Sequence, residues 1–485
     1  MSDSVKLAEI RFGTDGWRAV IAQDFTLANV ERVAQAYADY LSSQISNQET
    51  EIGTEVGDAG LVIVGFDRRF LSEKFAERAS GVLAGNNFRI AMFDEAVPTP
   101  LVSWAVREHG ARGGVMITAS HNPAEFNGFK IKAPFGGSAP PEITKEVEAL
   151  VDRTEPRKAP FDRADTAAIL SSSVESYRRQ VSSFVDLEMM RGLHAEVIVD
   201  PMHGSGRQWV ESFLGGGRVR VETIRAARDP LFGGVNPEPI DRNLAPLKNR
   251  VKERKALIGL ATDGDADRIG AVNELGETMT MHEVVPLLLL HLARGRGMTG
   301  GVVRTFSQSV LTKRIAAAHN LPLHETPIGF KYVADLMLRE NILLGAEESG
   351  GIGVAGHIPE RDGILNSLLL LEAVMMAGKL PSEIVRDIHR EFGEFYFGRR
   401  DNHMEVGLGQ EFVASLAAKP PAQIAGYEVS GIETLDGTKL LFKDESWLLF
   451  RQSGTEPVLR IYAEATSVIK MNRLLDEGLK TVFSF

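Results

Sequence analysis

Three aspartates stand at alternate positions in the segment Asp263-Gly-Asp265-Ala-Asp267, with Arg268 directly after them. If the loop curls, the three carboxylates converge on one hard cation, and oxygen ligands with room left for a phosphate oxygen suit Mg²⁺. A calcium loop of the EF-hand kind competes, because Asp263, Asp265, Asp267 and Glu274 fall at its first, third, fifth and twelfth positions. Against it, Arg268 occupies the place of the required glycine, and a strand-like run precedes the segment. A solvated acidic turn would need no metal at all.

A second group is Thr118-Ala-Ser120-His121-Asn122-Pro123, also after an apolar run. A serine at a strand end beside His and Asn reads as an exposed nucleophile. It reads equally as an Asn-Pro turn with serine as a local cap. No G-x-S-x-G elbow accompanies it, so a serine hydrolase has no support. Lys130, ten residues on, is a candidate acid or base, or an ordinary surface lysine. The third group, Arg451-Gln-Ser453-Gly454-Thr455-Glu-Pro with Arg460 beyond it, has the makings of an anion cradle. Glycine lets backbone approach a phosphate, the hydroxyls donate, and arginine offers a bidentate fork. A polar hairpin loop would look the same.

Other signals fail. Gly351-Ile-Gly353-Val-Ala-Gly356 matches G-x-G-x-x-G, but Glu347-Glu348-Ser349 is a poor lead-in to a dinucleotide fingerprint. No P-loop and no H-x-x-x-H pair is present. With no cysteine, thiolate nucleophiles, disulfides and Cys-based metal sites are excluded.

The elements needed to position these groups are legible as short apolar runs. Leu61–Phe66, Val115–Ile117, Ala195–Asp200, Ala256–Ala261 and Gly301–Phe306 read as strands ending in Gly/Asp-rich loops, each followed by a helical pattern. With helical segments such as Leu27–Leu41 and Leu311–His319, this cadence predicts α/β units with mainly parallel sheets, whose ligands gather at the carboxyl ends of strands. The charged stretch Arg153–Asp165 reads as a linker, Asn273–Thr278 as a turn, and the chain after Phe392–Asn402 as a smaller α+β unit. At 485 residues the length suits three or four domains. The net charge of −11 disfavours nucleic acid as a partner. No apolar run is long enough for a membrane span, and the opening MSDSVKLAEIRFG lacks the apolar core of a signal peptide, so a cytoplasmic location is expected.

Taken in order, TASHNP at 118–123, DGDADR at 263–268, AEESGG at 346–351 and RQSGTEP at 451–457 resemble the α-D-phosphohexomutases. The opening Arg11-Phe-Gly-Thr-Asp-Gly-Trp-Arg18 also resembles that family's start. The resemblance implies an α/β protein of four domains around a central cleft, three of them related α/β domains with mixed sheets: residues 1–165 bearing a phosphoserine, 166–275 binding metal, 276–392 binding sugar, and a smaller α+β domain, 393–485, binding phosphate. It implies that Ser120 is the phosphoserine and binds Mg²⁺ together with Asp263, Asp265 and Asp267. His121 and Lys130 then flank the reacting phosphoryl group, Lys130 as proton shuttle, with Arg18 and Lys331 completing the catalytic set. Glu347 and Ser349 match holders of sugar hydroxyls; Arg451, Ser453, Gly454, Thr455 and Arg460 match the loop for the non-reacting phosphate.

The E-E-S sugar loop and Phe330-Lys331 resemble glucose-preferring members, which implies interconversion of glucose 1-phosphate and glucose 6-phosphate through glucose 1,6-bisphosphate. Phosphomannomutase or glucose 1,6-bisphosphate synthase on the same scaffold is the alternative, and a non-catalytic sugar-phosphate-binding protein a remote one. Dual mannose/glucose members usually show E-M-S-G-H, and phosphoglucosamine mutases usually carry Gln where Glu348 stands. Two departures are the short NPAEFNGFKIK segment and Ala346, which replaces the usual glycine. Hexose phosphates are the expected partners, with no nucleic acid and no membrane; oligomeric state is left open.

Overall fold

The computed structural model describes residues 9–13, 15–49, 60–454 and 457–485. The opening eight residues, Thr14, residues 50–59, Thr455 and Glu456 lie outside them, and so do the parts of the readings above that fall there. The chain divides into two compact units: the first runs to Thr278 and takes in Gly351–Met375, and the second comprises Met279–Gly350 and Met376–Phe485. Among the described residues, no single helix is long and apolar enough to cross a membrane.

The first unit holds two sheets built alike. In one, the strands run in the order Trp17–Val20, Phe126–Lys132, Gly113–Ile117, Leu61–Phe66, Arg89–Met92. Leu61–Phe66 is parallel to both Arg89–Met92 and Gly113–Ile117, while Phe126–Lys132 runs antiparallel to Gly113–Ile117. All six residues of Leu61–Phe66 are buried, as expected for a strand covered on both faces. In the other sheet Glu196–Asp200 is parallel to Arg220–Thr223 and to Ile258–Thr262, and Ile269–Val272 returns antiparallel to the last.

The expectation of mainly parallel sheets with helices after every loop therefore needs correction at the two places that matter most. TASHNP and DGDADR each join antiparallel neighbours, so both sheets are mixed. The reason is length: a loop of six to eight residues suffices to return the chain beside its own strand, whereas a parallel crossover needs a dozen or more. Both loops thus hang on a hairpin of buried strands.

The second unit contains the parallel strands Leu323–Thr326, Gly301–Thr305 and Ile342–Ala346. It also contains an antiparallel sheet in the order Tyr396–His403, Val458–Ala465, Trp447–Gln452, Thr438–Leu441, Gly431–Glu433, with helices Val406–Ala418 and Val468–Phe483 around its core. These parts share a buried carboxylate. Glu464 accepts hydrogen bonds from Ser309 Oγ (2.5 Å), Val310 N (2.9 Å), Trp447 Nε1 (2.9 Å) and His282 Nδ1 (3.1 Å). It so ties the starts of helices Met281–Leu290 and Val310–Ala318 to the sheet. Burial opposes its charge, but the donors outweigh it and lower its pKa from 4.5.

Glu464→Gln should therefore cost about 1.5–3 kcal/mol at pH 7, the range for hydrogen bonds to a charged group. A depressed carboxyl pKa stabilises above its unfolded value and loses that contribution as pH falls through the folded one. The gap between wild type and variant in urea unfolding should accordingly narrow below pH 4.5. A gap unchanged by pH would refute this account.

Candidate active site

At the tip of the Gly113–Ile117 strand the chain enters the TASHNP loop, and Ser120 adopts φ 51°. A left-handed non-glycine residue costs of order 1–3 kcal/mol and persists only when its surroundings dictate it. Ser120 N donates to Thr118 Oγ1 at 2.9 Å, and Thr118 Oγ1 donates to Asp67 Oδ2 at 2.6 Å. So turned, Ser120 Oγ donates to Asp263 Oδ2 at 2.7 Å, and His121 Nδ1 lies 3.3 Å from it. The serine is buried, only 1% exposed, rather than the open nucleophile that its strand-end position suggested. Burial, then the cations Arg268, Arg18, Lys130 and Arg69, hold the His121 pKa well below 6.5, so its imidazole is neutral.

The three aspartates converge. Asp263, Asp265 and Asp267 are all buried, and one carboxylate oxygen from each lies within 4.8 Å of the others. Asp263 Oδ1 is taken by Asp267 N and Arg268 N, which fixes the curl, and Ala266 at φ 59° completes it. Asp265 Oδ2 accepts from Thr99 Oγ1 at 2.7 Å. Asp265 Oδ1 and Asp267 Oδ1 are buried and accept no hydrogen bond among the described residues. Two orphaned carboxylate oxygens, with Asp263 and Ser120 alongside, form the hard oxygen donor set that fits Mg²⁺. Burial and mutual repulsion push the Asp263 pKa well above 3.8. A bound cation reverses such a balance. The calcium-loop alternative fails, since Glu274 lies beyond the Ile269–Val272 strand that follows the loop.

Cations surround the aspartates. Lys130 Nζ lies 2.9 Å from Asp15, 3.0 Å from Asp265 and 3.4 Å from Asp267. Burial opposes its charge, but these carboxylates outweigh it and raise its pKa, keeping an ammonium. Lys130 is thus no surface lysine. Arg18 donates to Asn122 Oδ1 at 2.8 Å, which places it at the serine loop.

The sequence reading missed several members of this site. Arg361 bridges Asp15 and Asp267 at 2.8 Å each, and its neighbour Glu360 is ion-paired with buried Lys132 at 2.6 Å. Arg361 lies in HIPERD, a segment with no spacing or composition signal. Asp15 and Thr99 were equally illegible, because single residues acquire such roles only through contacts distant in sequence.

The second unit carries the remaining candidates. Glu347 follows the Ile342–Ala346 strand, and Ser349 Oγ is buried with no hydrogen-bond partner among the described residues. Ala346 closes that strand without a left-handed φ, so the usual glycine is not required there. Lys331 is the second residue of helix Phe330–Arg339, its Nζ 5.0 Å from the Tyr332 ring centroid. Arg451 and Arg460 are directly opposite across the Trp447–Gln452/Val458–Ala465 hairpin, just below its loop. Like charges so paired are destabilising unless an anion intervenes. Asp436 supplies one to Arg451 at 2.9 Å; Asp401, in register with Arg460 on the adjoining strand, gives its carboxylate to Arg399. Ser453 is buried in that loop, and among the described residues nothing lies within 4 Å of where a Cβ on Gly454 would stand. Thr455 lies outside the described residues.

Four family models cover most of the chain: phosphoglucomutase/phosphomannomutase alpha/beta/alpha domains I (residues 9–158), II (175–276) and III (281–392), and the C-terminal domain (411–480). The chain belongs to the phosphoglucomutase/phosphomannomutase family, a family of mutases in the α-D-phosphohexomutase superfamily. A phosphoglucomutase/phosphomannomutase of Thermococcus kodakarensis is 31% identical over 97% of both chains. A phosphoglucosamine/phosphogalactosamine mutase of Sulfurisphaera tokodaii is 28% identical over 97% of this chain and 98% of its own. Among solved structures, a candidate phosphomannomutase from Thermus thermophilus is 36% identical over 99% of this chain and all of its own, with a TM-score of 0.85.

If the aspartate cluster holds the metal, Asp265→Asn should weaken Mg²⁺ or Mn²⁺ binding by at least about tenfold while the fold survives, since the amide keeps an acceptor for Thr99. Calorimetric metal titration of both proteins decides it, and equal affinities would leave the cluster a purely structural turn.

Proposed function

We propose that this protein is a phosphoglucomutase, interconverting α-D-glucose 1-phosphate and glucose 6-phosphate through phosphoserine at Ser120 and a glucose 1,6-bisphosphate intermediate. One observation carries the reading: a strained serine whose hydroxyl rests on Asp263, beside two carboxylate oxygens that accept no hydrogen bond and a buried lysine held as an ammonium. Such a site has the parts for phosphoryl transfer, which is chiefly positioning and charge neutralisation. Mg²⁺ held by Asp263, Asp265, Asp267 and Ser120 would neutralise charge on the transferring phosphoryl oxygens.

In the first half-reaction the 6-hydroxyl of glucose 1-phosphate attacks phosphorus as the bond from phosphorus to Ser120 Oγ breaks. The Lys130 ammonium gives its proton to Oγ and recovers one from the sugar hydroxyl, so the balance closes on one shuttling proton. The bisphosphate then presents its other phosphate. In the second half-reaction Ser120 Oγ attacks that phosphorus, its proton passes through Lys130 to the sugar oxygen, and glucose 6-phosphate leaves. Arg451, Ser453, Gly454, Thr455 and Arg460 hold whichever phosphate is not reacting, while Glu347 and Ser349 hold sugar hydroxyls. Arg18, Arg361 and Lys331 add positive charge for the phosphates.

Glucose is favoured by Glu348 in the E-E-S loop and by Phe330-Lys331. The name of the Sulfurisphaera relative supports amino-sugar phosphates as a second reading. Turnover of glucose, mannose and glucosamine 1-phosphates, with products identified by NMR, separates them. Glucose 1-phosphate should have the highest kcat/KM, and an equal or higher value for either competitor would overturn the assignment.

Two variants test the chemistry. Ser120→Ala should abolish turnover in a folded protein; retention of more than a few per cent would exclude transfer through Ser120. Arg451→Ala should weaken binding of glucose 1-phosphate and glucose 6-phosphate alike. Lost charge-assisted hydrogen bonds are worth about 1.5–3 kcal/mol, hence roughly 10- to 150-fold. Equilibrium titration showing more than about tenfold loss for one isomer alone would break the shared-phosphate reading.

A further inference from the structure

Arg69 is fully buried, and its ion-pair partner is Asp67, a carboxylate that the proposed chemistry does not use. Its Nη2 donates to the carbonyls of Ser120 and Asn122, both at 2.6 Å. Its Nη1 donates to those of Pro123 at 2.7 Å and Phe126 at 3.0 Å. One planar guanidinium thus gathers four carbonyls of a seven-residue loop. Behind it, Asp67 lies 3.1 Å from Nε and also accepts from Thr118 Oγ1 and from Ser72 Oγ at 2.7 Å. The Phe232 ring packs against the guanidinium, 5.0 Å from its carbon.

The carbonyl of Ser120 is the informative partner. It packs so closely on Gly264 that a Cβ there would lie 2.4 Å from it, and Gly264 belongs to the aspartate loop. A guanidinium holding that carbonyl fixes the Ser120 peptide against the neighbouring loop. With the amide side held by Thr118 Oγ1, both peptide groups of a left-handed serine are clamped, and from that backbone its hydroxyl meets Asp263.

We infer that Arg69, oriented by Asp67, is a positioning residue for phosphoryl transfer: it sets the backbone of Ser120 so that the hydroxyl meets the aspartate cluster. Lysine cannot replace it, because a single ammonium lacks the planar fork that spans two pairs of carbonyls. The inference rests on Ser120 being the nucleophile, and the experiment keeps the two apart.

Arg69→Lys is compared with wild type and with Phe232→Leu, which loosens packing around the same guanidinium but leaves its hydrogen bonds. Steady-state kinetics on glucose 1-phosphate, thermal melting and intact mass of the phosphoprotein are read for each. Displacing a reacting group by about 1 Å can cost about 100-fold. Arg69→Lys is expected to lose about 10- to 100-fold in kcat with KM within about threefold, while Phe232→Leu melts earlier yet keeps kcat within about threefold. A merely structural Arg69 would lower the melting temperature and leave kcat of the folded fraction near wild type; that result overturns the inference. If Arg69→Lys fails to fold, Thr118→Val, nearly isosteric, removes the acceptor of the Ser120 amide and a donor to Asp67. Its kcat should fall by about tenfold or more, and a value within twofold of wild type also overturns the inference. If wild type neither carries a phosphoryl group nor turns over a hexose phosphate, the proposed function fails instead.

Discussion

Three buried carboxylates within 4.8 Å of one another set the terms for everything around them. Charges so close in a low-dielectric interior repel strongly, and each has lost its hydration. The fold answers with Lys130, Arg361 and a hydrogen bond from Thr99, yet among the described residues it leaves one oxygen on Asp265 and one on Asp267 without a hydrogen bond. Such a cluster, with oxygens to spare, fits a hard cation.

The serine answers a different constraint. A left-handed φ is expensive for any residue with a Cβ, and the loop sustains it through Thr118, Asp67 and Arg69. Those three act on backbone, so the hydroxyl stays available for Asp263. The two loops therefore share one design. Each hangs on an antiparallel pair of buried strands, and each has its main chain fixed by side chains, the serine loop by Arg69 from far along the chain and the aspartate loop by its own Asp263. Rigid placement of this kind matters when the chemistry consists of holding a phosphoryl group between two oxygens.

In the second unit the opposed arginines 451 and 460 and the buried hydroxyl of Ser349 carry the same logic at lower cost. Opposite cross-strand cations invite an anion, and the Asp436 carboxylate tempers Arg451 meanwhile. In the proposed function that arrangement serves a loop that accepts phosphate on either end of a hexose, and discrimination between sugars falls to residues 347–349.

Much of this was already written in the chain. Strand runs such as Leu61–Phe66 are apolar because they are covered on both faces, and alternate aspartates in a short loop can hardly avoid meeting. The ordered motifs sufficed to indicate the family and to pick out Ser120, Lys130 and the three aspartates. Sequence did not determine the strand direction after TASHNP and DGDADR, because hairpin and crossover share the same apolar signal. Nor did it reveal Asp15, Thr99, Arg361 or Arg69. The contacts that bring them to the site span between 51 and 346 residues, and no local pattern marks a residue whose role comes from such a contact. The burial of Ser120 belongs to the same class, since exposure is a property of what packs around a loop and not of the loop itself. The sequence supplied the reactive groups; tertiary structure decided their protonation, their strain and which of their oxygens stayed open.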